Sequence, residues 1–224
     1  MNDYLIRLIC VLIGYFFGCI QFSYILGKLE KKIDIRDYGS GNAGYTNALR
    51  VMGNRIGFWT LTGDILKAVI ALGIIALIWG YDAKWLMLWG GAGVVLGHNH
   101  PFYMQFKGGK GVAAMIGIYL ITDLRMLLIA GIPALVLLYL TKYMSLASIT
   151  YMVLLIVTSV VFYLKAPFGL EVIVITAVLC LTTIIRHRGN IQRLIAGTER
   201  KMGQKETPSA PQNAEGTTEE ISKK

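Results

Sequence analysis

The sequence predicts an all-α integral membrane protein with about seven transmembrane helices, its N-terminus outside the cell and its C-terminus in the cytoplasm. Of the 224 residues, 55% are hydrophobic and only 16% are charged, whereas a soluble domain has about 25% charged residues. The hydrophobic residues form long runs, and the mean hydropathy of the chain is +0.57. The basic residues are concentrated in alternate connections between these runs.

Seven apolar runs follow one another along the chain. A helix that crosses a bilayer core needs about 20 apolar residues, and the runs 4–27, 57–80 and 146–164 meet this length. The runs 126–140 and 170–185 are somewhat shorter. Two further runs, 85–97 and 112–121, are short for a full span. We expect these two to be tilted, or to end in polar residues that neighbouring helices shield.

The distribution of lysine and arginine predicts the orientation. The segments 28–55 and 98–111 carry six and two of these residues, and the chain after Ile185 carries eight. With seven alternating spans, all three segments fall on one face, which the positive-inside rule makes cytoplasmic. The net charge of +9 also suggests a nucleic-acid partner. However, the basic segments contain no recognisable nucleic-acid-binding motif, so we expect none.

We predict one membrane domain over residues 1–202 and a disordered cytoplasmic tail over residues 203–224. The tail is rich in Pro, Ser, Thr, Glu and Lys and has no apolar periodicity. Cys10, Cys19 and Cys180 lie inside apolar runs, so we interpret them as packing thiols. No Cys, Asp or Glu accompanies His98 and His100 in their segment, so neither a metal nor another cofactor is predicted, and a structural role is our interpretation of His100.

Three polar segments contain residue types suited to ligand binding or catalysis, and the first spans residues 39–50. Its glycines allow the backbone to bend and approach an anion closely. Arg50 adds a cation suited to bidentate contact with phosphate. A turn-rich loop without a ligand would have a similar composition, so both interpretations stay open. The polar and glycine positions are Gly39, Ser40, Gly41, Asn42, Gly44, Thr46 and Asn47.

The second segment, 97–112, interleaves glycines with two lysines directly before an apolar run. This arrangement favours an anion site at a helix N-terminus. It is not a nucleotide-binding P-loop, because Met104 stands where that motif needs glycine and Gly111 where it needs Ser or Thr. A positively charged membrane anchor with flexible glycines is the alternative. The residues concerned are Lys107, Gly108, Gly109, Lys110 and Gly111.

The third segment begins at Arg186 and ends near Lys201. If it is helical, His187 and Asn190 lie on one face, and a histidine there can bind phosphate or move a proton. An amphipathic helix whose arginines meet anionic lipid head groups is an equally open interpretation. In the second apolar run, Asp64 and Lys67 are spaced as an ion pair inside the bundle, with either a structural role or a substrate contact.

Together, the three segments resemble the membrane glycerol-3-phosphate acyltransferases that use acyl-phosphate as donor. The first reads Gly-Ser-Gly-Asn-Ala-Gly-Tyr-Thr-Asn, with Arg50 after it. The second reads Gly-His-x-x-Pro and then Phe-Lys-Gly-Gly-Lys-Gly-Val-Ala. The third reads Arg-His-x-x-Asn-Ile-x-Arg-Leu, followed by Gly197 and Glu199. Their order, their spacing and their predicted placement on one face match that family over residues 1–202, which makes this segment a single polytopic membrane acyltransferase domain.

The resemblance implies transfer of a fatty acyl group from acyl-phosphate to the sn-1 hydroxyl of glycerol-3-phosphate. The products are lysophosphatidate and phosphate, in bacterial phospholipid synthesis at the cytoplasmic face of the cell membrane. It implies no cofactor, and it suggests functional coupling to an enzyme that produces acyl-phosphate. The His-x-x-x-x-Asp motif of other acyltransferases is absent, since Tyr103, Gln105 and Gln192 follow the three histidines at that spacing. A transporter or flippase for an organic phosphate is the main alternative.

The residues suggest a division of roles. Lys107, Lys110 and the glycine amides are expected to hold phosphate and to neutralise the leaving group. Arg50 and His187 are expected to hold the acceptor phosphate. Either His187 or a substrate phosphate oxygen takes the hydroxyl proton, and direct transfer is favoured over an acyl-enzyme, for which Ser40 is the candidate. The predicted catalytic residues are Ser40, Lys110, His187 and Asn190, and the other predicted binding residues are Asn42, Gly44, Thr46, Asn47, Arg50, Lys107, Gly108, Gly109, Gly111, Arg193 and Glu199.

Overall fold

A computed structural model describes residues 2–204, and these residues fold into helices and connections without a strand. Residues 205–224, which make up most of the predicted tail, lie outside the described part of the chain. The α-helices are α1 (Asp3–Gly18), α2 (Phe22–Leu26), α3 (Tyr45–Met52), α4 (Asn54–Trp79), α5 (Lys84–Asn99), α6 (Val112–Thr122), α7 (Leu124–Thr141), α8 (Met144–Tyr163), α9 (Gly169–Arg186) and α10 (Arg188–Ile195).

Each of the seven predicted apolar runs coincides with helical structure. Five stretches are long and apolar enough to cross a membrane, namely Asp3–Lys31, which includes α1 and α2, and the helices α4, α7, α8 and α9. Helices α5 and α6, with 16 and 11 residues, are the two that the sequence predicts to be short. The all-helical membrane fold is therefore confirmed, and the number of full spans remains a prediction.

Helix α6 illustrates how a short helix ends inside a bundle. At a rise of about 1.5 Å per residue it covers about half of a 30 Å hydrocarbon core. It ends at Asp123, whose extended backbone leads directly into α7. The Asp123 carboxylate accepts hydrogen bonds from the Arg125 backbone (3.0 Å) and from the Tyr163 hydroxyl (2.8 Å). Neighbouring helices thus shield the polar end, as the sequence predicts for such short runs.

The first apolar run differs from its prediction as one continuous helix over 4–27, because it breaks at residues 19–21. The break frees backbone carbonyl groups, and remote side chains donate to them. The Tyr103 hydroxyl bonds the Cys19 carbonyl at 2.8 Å, and the Lys67 ammonium bonds the Ile20 carbonyl at 2.7 Å. Non-helical backbone is tolerated at membrane depth when protein groups satisfy it in this way.

Close backbone packing fixes the position of α5 against α1. A Cβ atom on Gly14 would lie 1.9 Å from the Gly90 carbonyl oxygen, and one on Gly93 would lie 2.1 Å from that of Val11. Only glycine permits so close an approach of two helices. The contact holds the C-terminal end of α5, with His98, at one end of the bundle. The three cysteines are free and buried, as predicted.

Candidate active site

One end of the bundle contains a cavity of about 1030 Å³ that all three predicted segments line. Glycines, amides and cations that are distant in the sequence thus lie around one pocket. Gly109 is the one predicted site residue that does not line the cavity. The predicted residues that line the cavity are Ser40, Asn42, Gly44, Thr46, Asn47, Arg50, Lys107, Gly108, Lys110, Gly111, His187, Asn190, Arg193 and Glu199.

The cavity carries an excess of positive charge. Its acidic lining residues are Asp64 and Glu199. In addition, α3, α6, α8 and α10 each begin at the cavity, so the positive ends of four helix dipoles lie at its wall. Such surroundings favour a multiply charged anion such as a phosphate group. The basic lining residues are Arg50, Lys107, Lys110, Arg186, Arg188, Arg193 and Arg200.

Glu199 organises one wall of the pocket. Its carboxylate accepts hydrogen bonds from Ser145 Oγ (2.7 Å), Asn190 Nδ2 (2.7 Å) and Arg193 Nε (2.8 Å). Burial alone would raise the pKa of Glu199, but these three donors lower it below its ordinary value. The carboxylate therefore stays ionised and fixes Asn190 and Arg193. Ser145 carries no motif signal in the sequence, and sequence reasoning missed it.

Lys110 of the second segment is hydrogen-bonded to the third segment. Its ammonium donates to Asn190 Oδ1, the oxygen of the same amide that bonds Glu199. Burial lowers the pKa of Lys110 to about 8, and the positive charge of Arg193 contributes to the shift. Asn190 thus links the predicted leaving-group cation to the carboxylate of Glu199.

His187 presents one ring nitrogen to its own helix. Its Nδ1 lies 2.8 Å from the Thr183 carbonyl oxygen, which can only accept, so Nδ1 carries the proton. Burial lowers the pKa of His187 to about 4, and nearby Lys110 adds to the shift. The imidazole is therefore neutral near pH 7, with an unprotonated Nε2 that can accept a hydrogen bond or a proton. The structure places His187 in the wall of the pocket, and its role there stays a prediction.

Asn47 shapes the first loop. Its Nδ2 donates to the carbonyl oxygens of Ile35 (3.1 Å) and Tyr38 (3.0 Å), and its Oδ1 accepts from the Ser40 backbone at 2.9 Å. The side chain is buried, and its amide is committed to the backbone. Asn47 therefore holds the loop that presents Ser40 to the pocket, although the sequence analysis placed it among the substrate-binding residues.

In the second segment, two of the glycine amides that we predicted to hold phosphate are bonded within the protein. The backbone N–H of Gly108 donates to the Asn99 carbonyl (3.1 Å) and that of Gly109 to the His98 carbonyl (2.9 Å). These two amides are therefore already bonded to α5, and the glycines allow close packing on α5. Arg186, another lining residue that sequence reasoning missed, donates from Nε to the Gly109 carbonyl at 2.7 Å. Its signal was its position directly before His187 in the third motif.

On one side, the cavity becomes apolar. Leu61 of α4, Ile116 of α6 and Leu135 of α7 line this part. Leu135 is 65% exposed at the bundle surface, which for a membrane protein is the surface that meets lipid. The cavity thus combines a cationic end with an apolar side, an arrangement suited to a molecule that has both a phosphate group and an alkyl chain.

Fold and pocket together define a polytopic helical membrane protein with a cationic cavity at one end. Comparison with known proteins identifies the class further. The sequence model of the glycerol-3-phosphate acyltransferase family matches residues 8–197. The chain therefore belongs to this family of membrane glycerol-3-phosphate acyltransferases.

Curated relatives and solved structures agree with this assignment. A glycerol-3-phosphate acyltransferase of Thermoanaerobacter pseudethanolicus is 41% identical over 87% of this chain and 94% of its own length. One of Shouchella clausii is 44% identical over 87% of this chain and 95% of its own. The crystal structure of PlsY (YgiH), an integral membrane glycerol 3-phosphate acyltransferase, in its glycerol 3-phosphate form matches with a TM-score of 0.78 at 34% identity, over 88% of this chain and 96% of that chain. The lysophosphatidic acid form matches with a TM-score of 0.74 at 32% identity, over 87% and 94% of the two chains.

Proposed function

We propose that the protein transfers a fatty acyl group from acyl-phosphate directly to the sn-1 hydroxyl of glycerol-3-phosphate, giving lysophosphatidate and phosphate. One observation carries the proposal. Arg50, Lys110 and His187, which lie far apart in the sequence, line a single cationic cavity with an apolar side. The similar PlsY structures, in a glycerol 3-phosphate form and a lysophosphatidic acid form, support this acceptor and this product.

The cationic end and the apolar side of the cavity suggest how the two reactants are arranged. Arg50 and the first turn of α3 hold the phosphate of the acceptor, with Ser40 and Thr46 orienting its hydroxyl groups. Lys107, Lys110 and the first turn of α6 hold the phosphate of the donor. The acyl chain follows the apolar side past Ile116 and Leu135. This placement brings a soluble and a lipid-like reactant together at the membrane surface.

The chemistry is a direct displacement at the acyl carbon. The sn-1 hydroxyl oxygen attacks the acyl carbon. The bond between the acyl carbon and the phosphate oxygen breaks, and phosphate leaves with the electron pair. Lys110 neutralises the charge that develops on phosphate. The hydroxyl proton passes to Nε2 of neutral His187 or to an oxygen of the departing phosphate. Because acyl-phosphate is already activated, positioning supplies much of the acceleration.

The decisive test is phosphate release by the purified protein. Palmitoyl-phosphate should release phosphate only when glycerol-3-phosphate is present, and phosphate and lysophosphatidate should form in a one-to-one ratio. Palmitoyl-CoA should not replace palmitoyl-phosphate as the acyl donor. Turnover with palmitoyl-CoA would overturn the donor assignment. In a single turnover without acceptor, we expect no acylated protein. An acyl group trapped on Ser40 would overturn direct transfer.

The proton acceptor can be tested with His187→Asn. An asparagine amide can replace the bond from Nδ1 to the Thr183 carbonyl but supplies no Nε2. If Nε2 is the base, kcat should fall about 100-fold or more while the fold is retained. A decrease of less than about tenfold assigns the proton to the substrate phosphate.

The charge pattern supports seven spans with the pocket at the cytoplasmic face of a bacterial cell membrane. Single cysteines at position 192, near the pocket, and position 165, at the opposite end, test this orientation. In intact cells, a membrane-impermeant maleimide should label Lys165→Cys, and should label Gln192→Cys only after permeabilisation. The reverse pattern would overturn it. A cytoplasmic pocket would also receive its donor from an acyl-phosphate-producing enzyme in the same compartment.

A further inference from the structure

Three ionisable side chains are enclosed at the wall of the pocket without a part in the proposed chemistry, and two of them, Asp64 and His98, line it. Asp64 and Lys67 of α4 and His98 of α5 are 1–3% exposed. Ionisable groups inside a membrane bundle are costly, and they are usually kept for a function. The cluster also touches the break in the first apolar run, because Lys67 bonds the Ile20 carbonyl.

The Lys67 ammonium has three N–H donors and three acceptors around it. Its Nζ lies 2.7 Å from Asp64 Oδ1, 2.7 Å from the Ile20 carbonyl oxygen and 2.9 Å from His98 Nδ1. An ammonium group can only donate, so His98 Nδ1 must accept. The neutral ring then carries its proton on Nε2. Lys67 therefore fixes both the tautomer and the rotation of His98.

The other ring nitrogen of His98 faces the contact between two loops, the one that precedes α3 and the one that precedes α6. A Cβ atom on Gly109 would lie 2.0 Å from His98 Nε2 and 2.7 Å from the Ala43 carbonyl oxygen. Ala43 belongs to the loop that precedes Arg50, and Gly109 belongs to the loop of Lys110. The His98 carbonyl oxygen also accepts the Gly109 N–H at 2.9 Å. The imidazole thus lies where the two loops meet.

We infer that Lys67 is a positioning residue that acts through His98. By fixing the His98 ring, it sets the distance between the loop that precedes α3, the helix of Arg50, and the loop of Lys110, and so the distance between acceptor and donor. The kinetic consequence rests on the proposed function. The tautomer of His98 does not, because it follows from the two contacts of Nδ1: Lys67 Nζ lies within hydrogen-bond distance at 2.9 Å, whereas Asp64 Oδ1 lies beyond it at 3.6 Å.

The tautomer can be measured in the unaltered protein. The chain has only three histidines, so ¹⁵N-histidine labelling gives a simple NMR spectrum, which His100→Gln and His187→Asn assign. We expect His98 in the Nε2–H form. His187, which donates from Nδ1 to the Thr183 carbonyl, and His100, whose Nε2 faces the Arg186 guanidinium at 3.2 Å, should be in the Nδ1–H form. An Nδ1–H form or an imidazolium at His98 at pH 7 would overturn the inference.

Kinetics separates positioning from stabilisation. Lys67→Met leaves Asp64 buried and unpaired and can prevent folding, so the variant of choice is Asp64→Asn combined with Lys67→Met. We expect kcat to fall about 100-fold, as for a misplacement of about 1 Å. The KM values should change far less, because each phosphate keeps its own loop. A folded double variant with kcat within about threefold of the unaltered value would show a merely structural role.

The matched control is the interhelical pair at the opposite end, in which Arg7 Nε bonds Glu171 Oε1 at 2.8 Å. Arg7→Met combined with Glu171→Gln should lower the melting temperature but leave kcat and the His98 signal unchanged. If the unaltered protein has no acyltransferase activity, the proposed function fails, and the NMR measurement still decides whether Lys67 fixes the tautomer of His98. The two failures are therefore distinguishable.

Discussion

The two ends of the helix bundle are both polar, but they differ in how far their cationic side chains are paired with carboxylates. At the end opposite the pocket, Arg7 bonds Glu171 through two nitrogens (2.8 and 3.1 Å), and Arg125 bonds Asp123 at 2.9 Å. At the pocket end, Glu199 is the partner of Arg193, while Arg50, Lys107 and Lys110 line the same cavity without a carboxylate of their own among the described residues.

This difference supports the proposal that the pocket end is the catalytic end, because surplus positive charge, rather than polarity, distinguishes it from the other end. Burial lowers the pKa of Arg50, and the neighbouring positive charges of Arg200 and Arg193 add to the shift, because cations held close together repel one another. A phosphate ligand would relieve this repulsion. Substitutions at the pocket end should therefore change rates more than stability, and substitutions of the paired residues at the other end should do the reverse.

The largest expected effect is that of Lys110→Met. We expect kcat/KM for palmitoyl-phosphate to fall about 1000-fold, because the variant loses the cation that faces the departing phosphate. The melting temperature should stay the same or rise, since like charges are removed. Lys84→Met, at the opposite end, is the control and should change neither quantity. A loss of less than about tenfold in Lys110→Met would place the leaving group elsewhere.

Arg50→Ala should have the next largest effect, on the acceptor. A charge-assisted hydrogen bond contributes about 1.5–3 kcal/mol, so the KM for glycerol-3-phosphate should rise about 10- to 100-fold. The KM for palmitoyl-phosphate should change little. An unchanged KM for glycerol-3-phosphate would show that Arg50 does not bind the acceptor.

The sequence predicted the helices well because hydropathy is a local property. Even the two short helices α5 and α6 were recognised, since the apolar runs 85–97 and 112–121 are the shortest of the seven in the sequence. The break at residues 19–21 could not be predicted in this way. It depends on donors from Tyr103 and Lys67, which are remote in the sequence and meet the freed carbonyl groups only in the folded bundle.

The site was predictable where a residue type implies its chemistry. Arg50, Lys110 and His187 are such residues, and all three line the cavity. Glycine is less informative, because it serves a ligand and a packed backbone equally well. The amides of Gly108 and Gly109 bond α5, and nothing in their own sequence distinguishes this from phosphate binding.

A pair of glycine substitutions sharpens this distinction. In Gly109→Ala the new methyl group would overlap His98 Nε2 at 2.0 Å, so the loop or the ring must move. We expect a loss of about 1–3 kcal/mol in stability, as for an overpacked core, together with a reduced kcat. Gly73→Ala in α4 has open space around its Cβ and should be neutral or stabilising by up to about 1 kcal/mol. Equal melting temperatures for the two variants would contradict this packing.

The smallest effect expected is that of pH on the unaltered enzyme. The pKa of Lys110 is about 8, so its positive charge is lost as the pH rises through this value. At pH 9 about one Lys110 in ten remains charged, and kcat/KM for palmitoyl-phosphate should be about tenfold below its plateau. The pKa of His187, about 4, predicts no change from that residue between pH 5.5 and 7. Lys110→Arg should lack the alkaline decrease, because its guanidinium stays charged. An alkaline decrease that persists in Lys110→Arg would have to come from another group.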